Sequence, residues 1–292
     1  MKEFGEVLEN VSLKKYTSLG IGGNAKYLIK VENKIKLIAL LNYLNSRKIK
    51  FFILGNGTNT IFEDNNFDGV VIKLDNFNNI SFSDNLVHVE SGVSLPLLVQ
   101  KCLDNGYVNL AFASNIPGSV GGATIGNAGC YNHEIMEYVK SVEVLDYEGN
   151  YKIIDKNDIS FGYRYTSLKN KFIVLGVNII LEKGDVQLAQ NLIEENRLKR
   201  INSQPLNEKN VGSVFRNPEN ASAGKLIDDL NLKGTRRGDA MISEKHANFF
   251  VNKNNASFKD YIELINITKK KVKDEYNVDL VLEPTVVIWD EI

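Results

Sequence analysis

The sequence has little cysteine and no long apolar run. Only 2 of its 292 residues are cysteines, too few for a disulfide framework, which favours a reducing compartment. No apolar stretch approaches the ~20 residues that cross a bilayer. The charged, mixed N-terminus "MKEFGEVLENVSLKK" is unlike a secretory signal peptide. We therefore expect a cytoplasmic protein.

The sequence also lacks an excess of charge of either sign. Its 35 Lys and Arg residues against 36 Asp and Glu residues leave a net charge of −1. Nucleic acids and membrane surfaces are bound through a basic field, so we expect neither as a partner. No spacing of Cys, His and Asp is typical of a metal site, and we expect no metal.

Short strands alternate with single helices in the first part of the chain. Ala25–Val31 predicts a strand, after which Ile35, Ile38, Leu41 and Leu44 follow at helical spacing. A second region repeats this mixture, with a strand in "NLVHVESG" and a helix over about residues 94–104. The alternation is too irregular for a doubly wound parallel sheet, so we predict two adjoining α+β units.

A boundary is expected near residues 183–185, where the chain turns into a polar helix over Asp185–Asn202. The remaining segment predicts a short helix over Ala223–Leu230, a strand in "NFFVN" and a longer helix after Ser257. Ser257 and Asp260 have the spacing of a capping box. The chain closes on the apolar run "VDLVLEPTVVIW", which predicts a strand.

The segment Asn115–Gly129, "NIPGSVGGATIGNAG", contains five glycines and neither lysine nor arginine. Glycine lets a ligand approach the backbone without meeting a Cβ, and successive N–H groups in such a loop bind anions. A phosphoryl-transfer loop would add a lysine for the β- and γ-phosphates. The segment therefore suits a diphosphate that does not react, as in a dinucleotide cofactor. A purely structural turn is the alternative.

Two further glycine stretches favour the ligand hypothesis. They are "LGIGGNA" (Leu19–Ala25) and "LGNGTN" (Leu54–Asn59), the second directly after the strand-like "FFI". A Gly-x-Gly turn with Thr and Asn after a strand can offer backbone and hydroxyl groups to a phosphate. Neither stretch has the G-x-G-x-x-G pattern with an acid ~20 residues on, so we expect no Rossmann site.

Arg164 lies among aromatic residues in "FGYRYTS". A guanidinium that is partly desolvated there could bind a carboxylate through two parallel hydrogen bonds. The alternative is a surface arginine stacked on Tyr163 or Tyr165.

Ser213 follows a glycine in "NVGSVFRNP". A positioned hydroxyl can deliver a proton to a carbanion, because the acceptor is very basic and the geometry is fixed. The sequence has no G-x-S-x-G elbow and no evident triad partner, which argues against a serine hydrolase. The alternative is a turn or capping residue.

Glu283 is the one charged residue between Leu280 and Trp289. If its side chain faces the interior, desolvation raises its pKa and leaves it able to donate a hydrogen bond to a developing enolate. If the strand alternates regularly, the acid faces solvent instead. The sequence leaves this choice open.

Taken in chain order, these segments resemble the UDP-N-acetylenolpyruvoylglucosamine reductase (UDP-N-acetylmuramate dehydrogenase) family of bacterial peptidoglycan precursor synthesis. The matching motifs run from about residue 16 to residue 289 in the family's order. They are "YTSLGIGGNA", "LGNGTN", "IPGSVGGATIGNAG", "FGYRYTS", "GSVFRNP", "AGKLIDDLNLKG", "GDAMISEKHANFFVN" and "LEPTVVIW".

The resemblance implies an α+β fold with a two-subdomain FAD-binding region of the PCMH/vanillyl-alcohol-oxidase type, followed by a smaller α+β substrate-binding domain. It implies an FAD-binding region over residues 1–184, with subdomains of about 1–80 and 81–184, and a substrate-binding domain over residues 185–292. FAD would be held non-covalently, its diphosphate cradled by backbone N–H groups and hydroxyls. The implied cofactor-binding residues are Gly55, Asn56, Gly57, Thr58, Asn59, Pro117, Gly118, Ser119, Gly121, Gly122 and Asn127.

The resemblance also implies the chemistry. NADPH reduces FAD and leaves, the enolpyruvyl ether of UDP-N-acetylglucosamine binds, hydride goes to C3, and C2 is protonated. Arg164 and Glu283 match the pair that stabilises the intermediate at the substrate carboxylate, and Ser213 matches the proton donor. The implied substrate contacts are Tyr163, Arg216 and Asn217.

Three features depart from the family pattern. Tyr16 stands where the first motif often begins with Asn, and "GNGTN" replaces the commoner Gly-Gly-Gly-Ser-Asn form. The segment between "FGYRYTS" and "GSVFRNP" lacks the tyrosine-bearing insertion of one subgroup, so the chain resembles the shorter subgroup. A flavin oxidase acting on a hydroxy acid or sugar, and a non-enzymatic nucleotide-binding protein, are the alternatives.

Overall fold

The computed structural model describes the whole chain, residues 1–292. Its α-helices are α1 (Lys34–Ser46), α2 (Leu95–Asp104), α3 (Val120–Ile125), α4 (Val186–Ser203), α5 (Ala223–Asp229) and α6 (Phe258–Tyr276). None of the helices combines the length and the apolar character needed to span a bilayer.

Many short strands alternate with these helices. They are β1 (Gly5–Ser12), β2 (Asn24–Val31), β3 (Phe51–Leu54), β4 (Thr60–Phe62), β5 (Phe67–Lys73), β6 (Ile80–Ser83), β7 (Leu86–Glu90), β8 (Gly129–Cys130), β9 (His133–Glu134), β10 (Val139–Asp146), β11 (Tyr151–Asp155), β12 (Phe161–Gly162), β13 (Tyr165–Thr166), β14 (Phe172–Ile180), β15 (Arg236–Arg237), β16 (Ala240–Ile242), β17 (Phe250–Asn252) and β18 (Thr285–Val287).

The chain forms two compact units that interleave in sequence. The first contains residues 1–9, 27–56 and 69–197, and the second contains residues 10–26, 57–68 and 198–292. Compactness does not test the functional division at residue 184, which stays a prediction.

The largest sheet lies in the first unit and has the order β11-β10-β14-β7-β6, with every pair antiparallel. Another sheet has the order β1-β2-β5-β3, in which β3 and β5 are parallel. Strands and single helices thus make irregular α+β layers, as the sequence predicts. The parallel β3–β5 pair matters for the site, because the "LGNGTN" loop leaves the end of β3.

Helix α1 buries a stripe that the sequence predicts only in part. Leu41 and Leu44 are fully buried as expected, together with Leu37 and Leu40, whereas Ile35 is 76% exposed. Ile35 lies in the first turn, and the buried stripe begins one residue before Ile38. The predicted spacing is therefore right for the second half of the helix and wrong for its start.

Helix α2 packs its apolar face into the core of the first unit and carries Cys102 with it. The cysteine is 1% exposed, and burial raises the pKa of its thiol to about 12. A thiol with this pKa is protonated at neutral pH and is a poor nucleophile. Cys102 is therefore a small packing residue of this core.

The second unit has its own core, which includes Phe215, Phe250 and the fully buried Tyr261. Helix α6 begins at the predicted capping box: the Ser257 hydroxyl accepts the Asp260 N–H (3.0 Å), and an Asp260 carboxylate oxygen accepts the Ser257 N–H (2.9 Å). The C-terminal run is less regular than predicted. Only Thr285–Val287 forms a strand, which pairs with β4 in parallel, because Pro284 interrupts the run before it.

Trp289 anchors the C-terminus in the second unit. Its ring stacks on Phe67 at 4.1 Å and on Phe62 at 5.2 Å between ring centroids. The indole N–H donates to the Asn65 carbonyl (3.0 Å), and the backbone N–H donates to Glu63 Oε1 (2.6 Å). The indole N–H thus has a hydrogen-bond acceptor, and the ring has two aromatic stacking partners.

We predict that Trp289→Ala lowers the free energy of unfolding by about 3–5 kcal/mol, because it opens a cavity and removes two ring contacts. Trp289→Phe, the matched control, keeps one ring and should lose clearly less. Unfolding in urea followed by circular dichroism measures both, since the substitution removes the one tryptophan of the chain. A loss below about 1 kcal/mol for the alanine variant would contradict this anchoring role.

Candidate active site

The "LGNGTN" loop leaves the end of β3 with two glycines in different surroundings. Gly57 is buried and has φ +65°, and a Cβ added there would overlap the Tyr16 carbonyl oxygen. Gly55 is exposed, and a Cβ added there would meet only the Ser119 hydroxyl, at 3.0 Å. Gly57 is therefore required by the packing of the backbone, whereas a Cβ on Gly55 would crowd only one side-chain hydroxyl.

A buried lysine lies under this loop. Lys73, at the end of β5, is 6% exposed and donates a hydrogen bond from Nζ to the Gly55 carbonyl oxygen at 2.7 Å. Asp75 lies 3.2 Å from the same ammonium. The glycine-rich segments contain no cation themselves, but the neighbouring strand supplies one.

The Asn115–Gly129 segment folds into α3, with Ser119 as its N-cap. The Ser119 hydroxyl accepts the Gly122 N–H at 3.3 Å. Much of the segment's backbone is already hydrogen-bonded inside the protein: the Val120 and Gly121 amides donate to the Val93 and Ser91 carbonyls at 2.8 and 2.9 Å. These amides are not available to a ligand. The amides of Gly118 and Ser119 have no acceptor within the chain.

The glycines of α3 also have different roles. A Cβ on Gly121 would lie 2.8 Å from Ser91 Cβ, so close packing excludes any larger residue. Gly122 is exposed, and a Cβ there would have only the Ser119 hydroxyl nearby, at 3.4 Å. Because glycine destabilises a helix relative to alanine, an exposed glycine with room for a side chain indicates space kept for a ligand.

The two glycine loops thus meet at Ser119 inside the first unit. Gly55 and Gly122 both turn their bare Cα atoms toward its hydroxyl. The Gly55 and Asn56 amides, like those of Gly118 and Ser119, make no hydrogen bond within the chain. Unpaired amides beside side-chain-free backbone form a suitable cradle for a diphosphate. The residues present therefore fit the diphosphate of FAD.

The other predicted cofactor residues differ in exposure. The exposed and half-buried ones are Thr58, Asn59, Pro117 and Gly118, and Asn127 is fully buried.

Asn127 has a different role from the predicted cofactor contact. Its Nδ2 donates to Glu134 Oε2 (2.6 Å) and to the Gly162 carbonyl (2.9 Å), and its Oδ1 accepts the Met136 N–H (3.2 Å). Its backbone N–H donates to the Thr124 carbonyl at 3.2 Å. With every donor used internally, Asn127 connects the end of α3 to the hairpin that carries Arg164.

Arg164 lies at the tip of the β12–β13 hairpin in a strained backbone conformation. Its φ is +56°, a value that a bulky residue adopts only where the surroundings impose it and that costs on the order of 1–3 kcal/mol. The guanidinium donates to the Gly129 carbonyl from Nη2 at 2.8 Å and lies 5.1 Å from the centre of the Tyr163 ring. The stacking on Tyr163 that belongs to the alternative interpretation is present, while strain of this kind is typical of functional positions.

Ser213 lies in the second unit, in an extended segment that pairs with two other segments of the chain. It forms a β-bridge with Phe249, and Phe215 forms one with Leu282. Gly212 forms the turn before Ser213, with φ +80°. A Cβ added to this glycine would have no atom within 4 Å. The Ser213 hydroxyl is half-buried and has no hydrogen-bond partner within the chain. It is free to act on a substrate, which a capping serine would not be.

Asn248 fixes the backbone beside Ser213. Its side chain is 4% exposed; Oδ1 accepts the Phe215 N–H at 3.0 Å, and Nδ2 donates to the Phe215 carbonyl at 2.8 Å. The Val214 N–H also donates to the Asn248 carbonyl at 2.8 Å. This amide clamp determines where the Ser213 segment runs.

Glu283 lies on the segment that pairs with the Ser213 segment. Its backbone N–H donates to the Val214 carbonyl at 3.0 Å, and its side chain is half-buried. Asn59, the last residue of the "LGNGTN" loop, donates from Nδ2 to the Glu283 carbonyl (3.3 Å) and accepts the Thr285 N–H (3.0 Å). Within the second unit, hydrogen bonds therefore join the Glu283 segment to Asn59 on one side and to Val214, the neighbour of Ser213, on the other.

The predicted substrate contacts are Arg216 and Asn217 in the second unit and Tyr163 in the first. Arg216 is half-buried, and its Nε–H is buried without a hydrogen-bond partner. An unpaired guanidinium donor of this kind is unfavourable unless a ligand uses it. Asn217 and Tyr163 are exposed, and Asn217 Oδ1 caps α5 by accepting the Ala223 N–H at 3.1 Å. The described residues contain no group of three His, Cys, Asp or Glu side chains arranged to hold a metal ion.

Sequence reasoning missed Lys73 and Asn248. A charged residue at the end of the apolar run "GVVIKL" was a weak signal for Lys73. Asn248 lies within the matched motif "GDAMISEKHANFFVN", but nothing in that motif indicates that its amide contacts a backbone 33 residues away.

Comparison with known proteins shows the family. A family model described as "UDP-N-acetylenolpyruvoylglucosamine reductase, C-terminal domain" matches residues 204–287, and one described as "FAD binding domain" matches residues 25–155. A protein of Caldanaerobacter subterraneus subsp. tengcongensis named UDP-N-acetylenolpyruvoylglucosamine reductase is 39% identical, over 97% of this chain and 94% of its own. The chain belongs to the UDP-N-acetylenolpyruvoylglucosamine reductase family.

Further relatives agree. The UDP-N-acetylenolpyruvoylglucosamine reductase of Clostridium novyi is 38% identical over 97% of this chain and 92% of its own. The crystal structure of the UDP-N-acetylenolpyruvylglucosamine reductase from Thermus caldophilus matches with a TM-score of 0.82 and 34% identity, covering 97% of this chain and 98% of that one. The family resemblance, the α+β fold with an FAD-binding region, and an FAD-containing oxidoreductase as the enzyme class are confirmed.

We predict opposite effects of Gly122→Ala on stability and on cofactor binding. The alanine should raise the free energy of unfolding of the FAD-free protein by about 0.5–1 kcal/mol, because it favours the helix. It should weaken FAD binding, because the methyl group occupies space kept for the ligand. Thermal unfolding and flavin-fluorescence titration measure the two effects.

Gly126→Ala is the matched control for this prediction, since a Cβ there has its nearest neighbour at 3.5 Å and the residue only ends the same helix. FAD affinity should be unchanged in the control. Equal FAD affinity in Gly122→Ala and the unsubstituted protein would show that the exposed glycine serves no ligand.

We predict that Asn248→Ala lowers the free energy of unfolding by about 2–4 kcal/mol, because two buried backbone groups of Phe215 lose their partners. Asn254→Ala, at an exposed asparagine, is the control and should change stability far less. Urea unfolding measures both variants. A change within about 0.5 kcal/mol for Asn248→Ala would rule out the clamp.

Proposed function

We propose that this protein is an NADPH-dependent flavoenzyme that reduces the enolpyruvyl ether of UDP-N-acetylglucosamine to UDP-N-acetylmuramate in peptidoglycan precursor synthesis. Family membership over nearly the whole chain supports this activity. The structural observation that carries it is the hydrogen bond from the Glu283 N–H to the Val214 carbonyl, which places the segment of the unpartnered Ser213 hydroxyl beside the segment of Glu283. Small molecules are the proposed partners, and the cytoplasm is the proposed location.

FAD, when bound, supplies the hydride that the reduction needs. The residues proposed to hold its diphosphate are the amides of Gly55, Asn56, Gly118 and Ser119, which lack acceptors within the chain. The bare Cα of Gly122 leaves the diphosphate room to approach. The protein contributes position and a polar environment, while the redox chemistry belongs to the cofactor.

Arg164 is proposed to bind the carboxylate of the enolpyruvyl group. Hydride addition at C3 leaves negative charge that spreads from C2 into this carboxylate, so a fixed guanidinium stabilises the intermediate more than the substrate. The strained hairpin and the bond to Gly129 hold the guanidinium in advance of binding. An arginine that is already oriented loses little entropy when it binds the carboxylate.

Ser213 is proposed to deliver the proton to C2. The reaction adds a hydride at C3 and a proton at C2, so the carbon–carbon double bond becomes a single bond and the Ser213 alkoxide is reprotonated from solvent. The hydroxyl needs no base to act as this donor, because the carbanionic C2 is far more basic than an alcohol. Glu283 is proposed to share the stabilisation of the enolate, and Arg216 and Asn217 to bind the UDP-linked substrate.

We predict that Ser213→Ala separates the two half-reactions. Reduction of bound FAD by NADPH should proceed at the normal rate, because no proton is delivered to C2 in that step. Reoxidation by the enolpyruvyl substrate should slow by about 10²–10⁴-fold. Anaerobic stopped-flow absorbance at the flavin band measures each half-reaction separately.

The control is Ser203→Ala, whose hydroxyl is exposed and bonds only to the Lys199 carbonyl of its own helix. Both half-reactions should be normal in this variant. Equal slowing of both half-reactions in Ser213→Ala would assign the serine to folding or cofactor binding instead of proton transfer.

A further inference from the structure

Lys73 is a buried cation that the proposed reaction does not use. Its ammonium is almost completely removed from water, with 8% of the side chain exposed, and it has two partners: the Gly55 carbonyl at 2.7 Å and the Asp75 carboxylate at 3.2 Å. Asp75 is far more exposed than Lys73, at 43%. Burying an ammonium is unfavourable unless its partners are well placed, so the position calls for a reason beyond packing.

The geometry of the peptide group gives that reason. Leu54 and Lys73 are register partners in the parallel β3–β5 pair, so Lys73 lies beside the residue from which the loop departs. The peptide between Gly55 and Asn56 is trans, and in a trans peptide the C=O and N–H bonds point in opposite directions. A lysine that holds the Gly55 carbonyl therefore turns the Asn56 N–H away from the lysine ammonium.

The Asn56 N–H faces outward without a partner. Asn56 is exposed, and its amide has no acceptor within the chain. The adjoining Gly55 carries no Cβ that could shield this side of the loop. If the peptide flipped, the carbonyl oxygen would face the same space and repel an anion. The orientation of a single peptide thus decides whether the loop attracts or repels a phosphate.

We propose that Lys73 is a positioning residue for the FAD diphosphate: it holds the Gly55 carbonyl, so that the Asn56 N–H faces the phosphate. This rests on the proposed function, in which FAD is the cofactor. It also explains why the glycine-rich segments need no cation of their own. The positive charge lies beneath the loop and acts on the phosphate through the peptide dipole.

The test is the affinity of the FAD-free protein for FAD and for ADP, measured by titration calorimetry with Lys73→Met. The substitution removes the donor and keeps a side chain of similar length. The dissociation constant for FAD should rise about ten- to one-hundred-fold, the effect of losing a charge-assisted hydrogen bond. ADP carries the diphosphate without the flavin ring, so its affinity should fall by a similar factor.

Lys30→Met is the matched control. Lys30 lies on β2 and pairs with Glu6 at 3.0 Å, so the control makes the same chemical change and removes the same charge away from the loop. Its affinities for FAD and ADP should equal those of the unsubstituted protein. If the unsubstituted protein itself binds no FAD, the proposed function fails. If it binds FAD and Lys73→Met binds equally well, only the role of Lys73 fails.

A further result would overturn the proposal. Weaker FAD binding with unchanged ADP binding would place the effect away from the diphosphate.

Hydrogen–deuterium exchange on the unsubstituted protein tests the same proposal without any variant. The peptide that contains Gly55–Asn59 should gain protection when ADP or FAD is added, because the Asn56 N–H then donates to a phosphate. No gain in protection at saturating ligand would contradict the assigned orientation.

Discussion

The structure depends on the close approach of one backbone to another at a few glycines. A Cβ on Gly57 would overlap the carbonyl oxygen of Tyr16, and one on Gly121 would lie 2.8 Å from Ser91 Cβ. No larger residue fits at these points without movement of a main chain, which is less adaptable than the end of a side chain. The loops are therefore held by segments distant in sequence, and their remaining amides have fixed directions.

This constraint separates two uses of glycine that look alike in the sequence. Gly57 and Gly121 are needed for packing, whereas a Cβ on Gly55 or Gly122 would have only the Ser119 hydroxyl within 4 Å. The absence of lysine from these segments is also explained. Several amides of α3 are used internally, the unpaired ones belong to the loop ends, and the nearby cation is Lys73 on the neighbouring strand.

A feature could be predicted from the sequence when the residues that form it lie close together along the chain. The capping box of Ser257 and Asp260 was predictable because both partners lie within one turn of helix. The start of α1 was not, because the face of a helix that is buried depends on what packs against it, and Ile35 lies outside that contact. The orientation of Glu283 was open for the same reason. Its half-burial comes from the pairing of its segment with residues about seventy positions earlier, and Pro284 ends the alternation that a regular strand would continue.

The candidate site shows the same difference between features that were predictable and features that depend on distant residues. Arg164, Ser213 and Glu283 could be selected because their residue types suit the chemistry and because family motifs surround them. The residues that position them could not. The side-chain amides of Asn127 and Asn248 make buried hydrogen bonds to backbone groups 35 and 33 residues away. An asparagine in a loop gives no sign of whether its amide faces a ligand or another strand, and the expectation that Asn127 contacts the cofactor came from the family resemblance.

The central claim is that the amides at the ends of two glycine loops, together with bare Cα atoms, hold the diphosphate of FAD. A crystal structure of the protein with FAD tests it most directly. The account predicts diphosphate oxygens within hydrogen-bond distance of the backbone nitrogens of Asn56 and Ser119. A diphosphate bound elsewhere, with these amides facing only solvent, would contradict it.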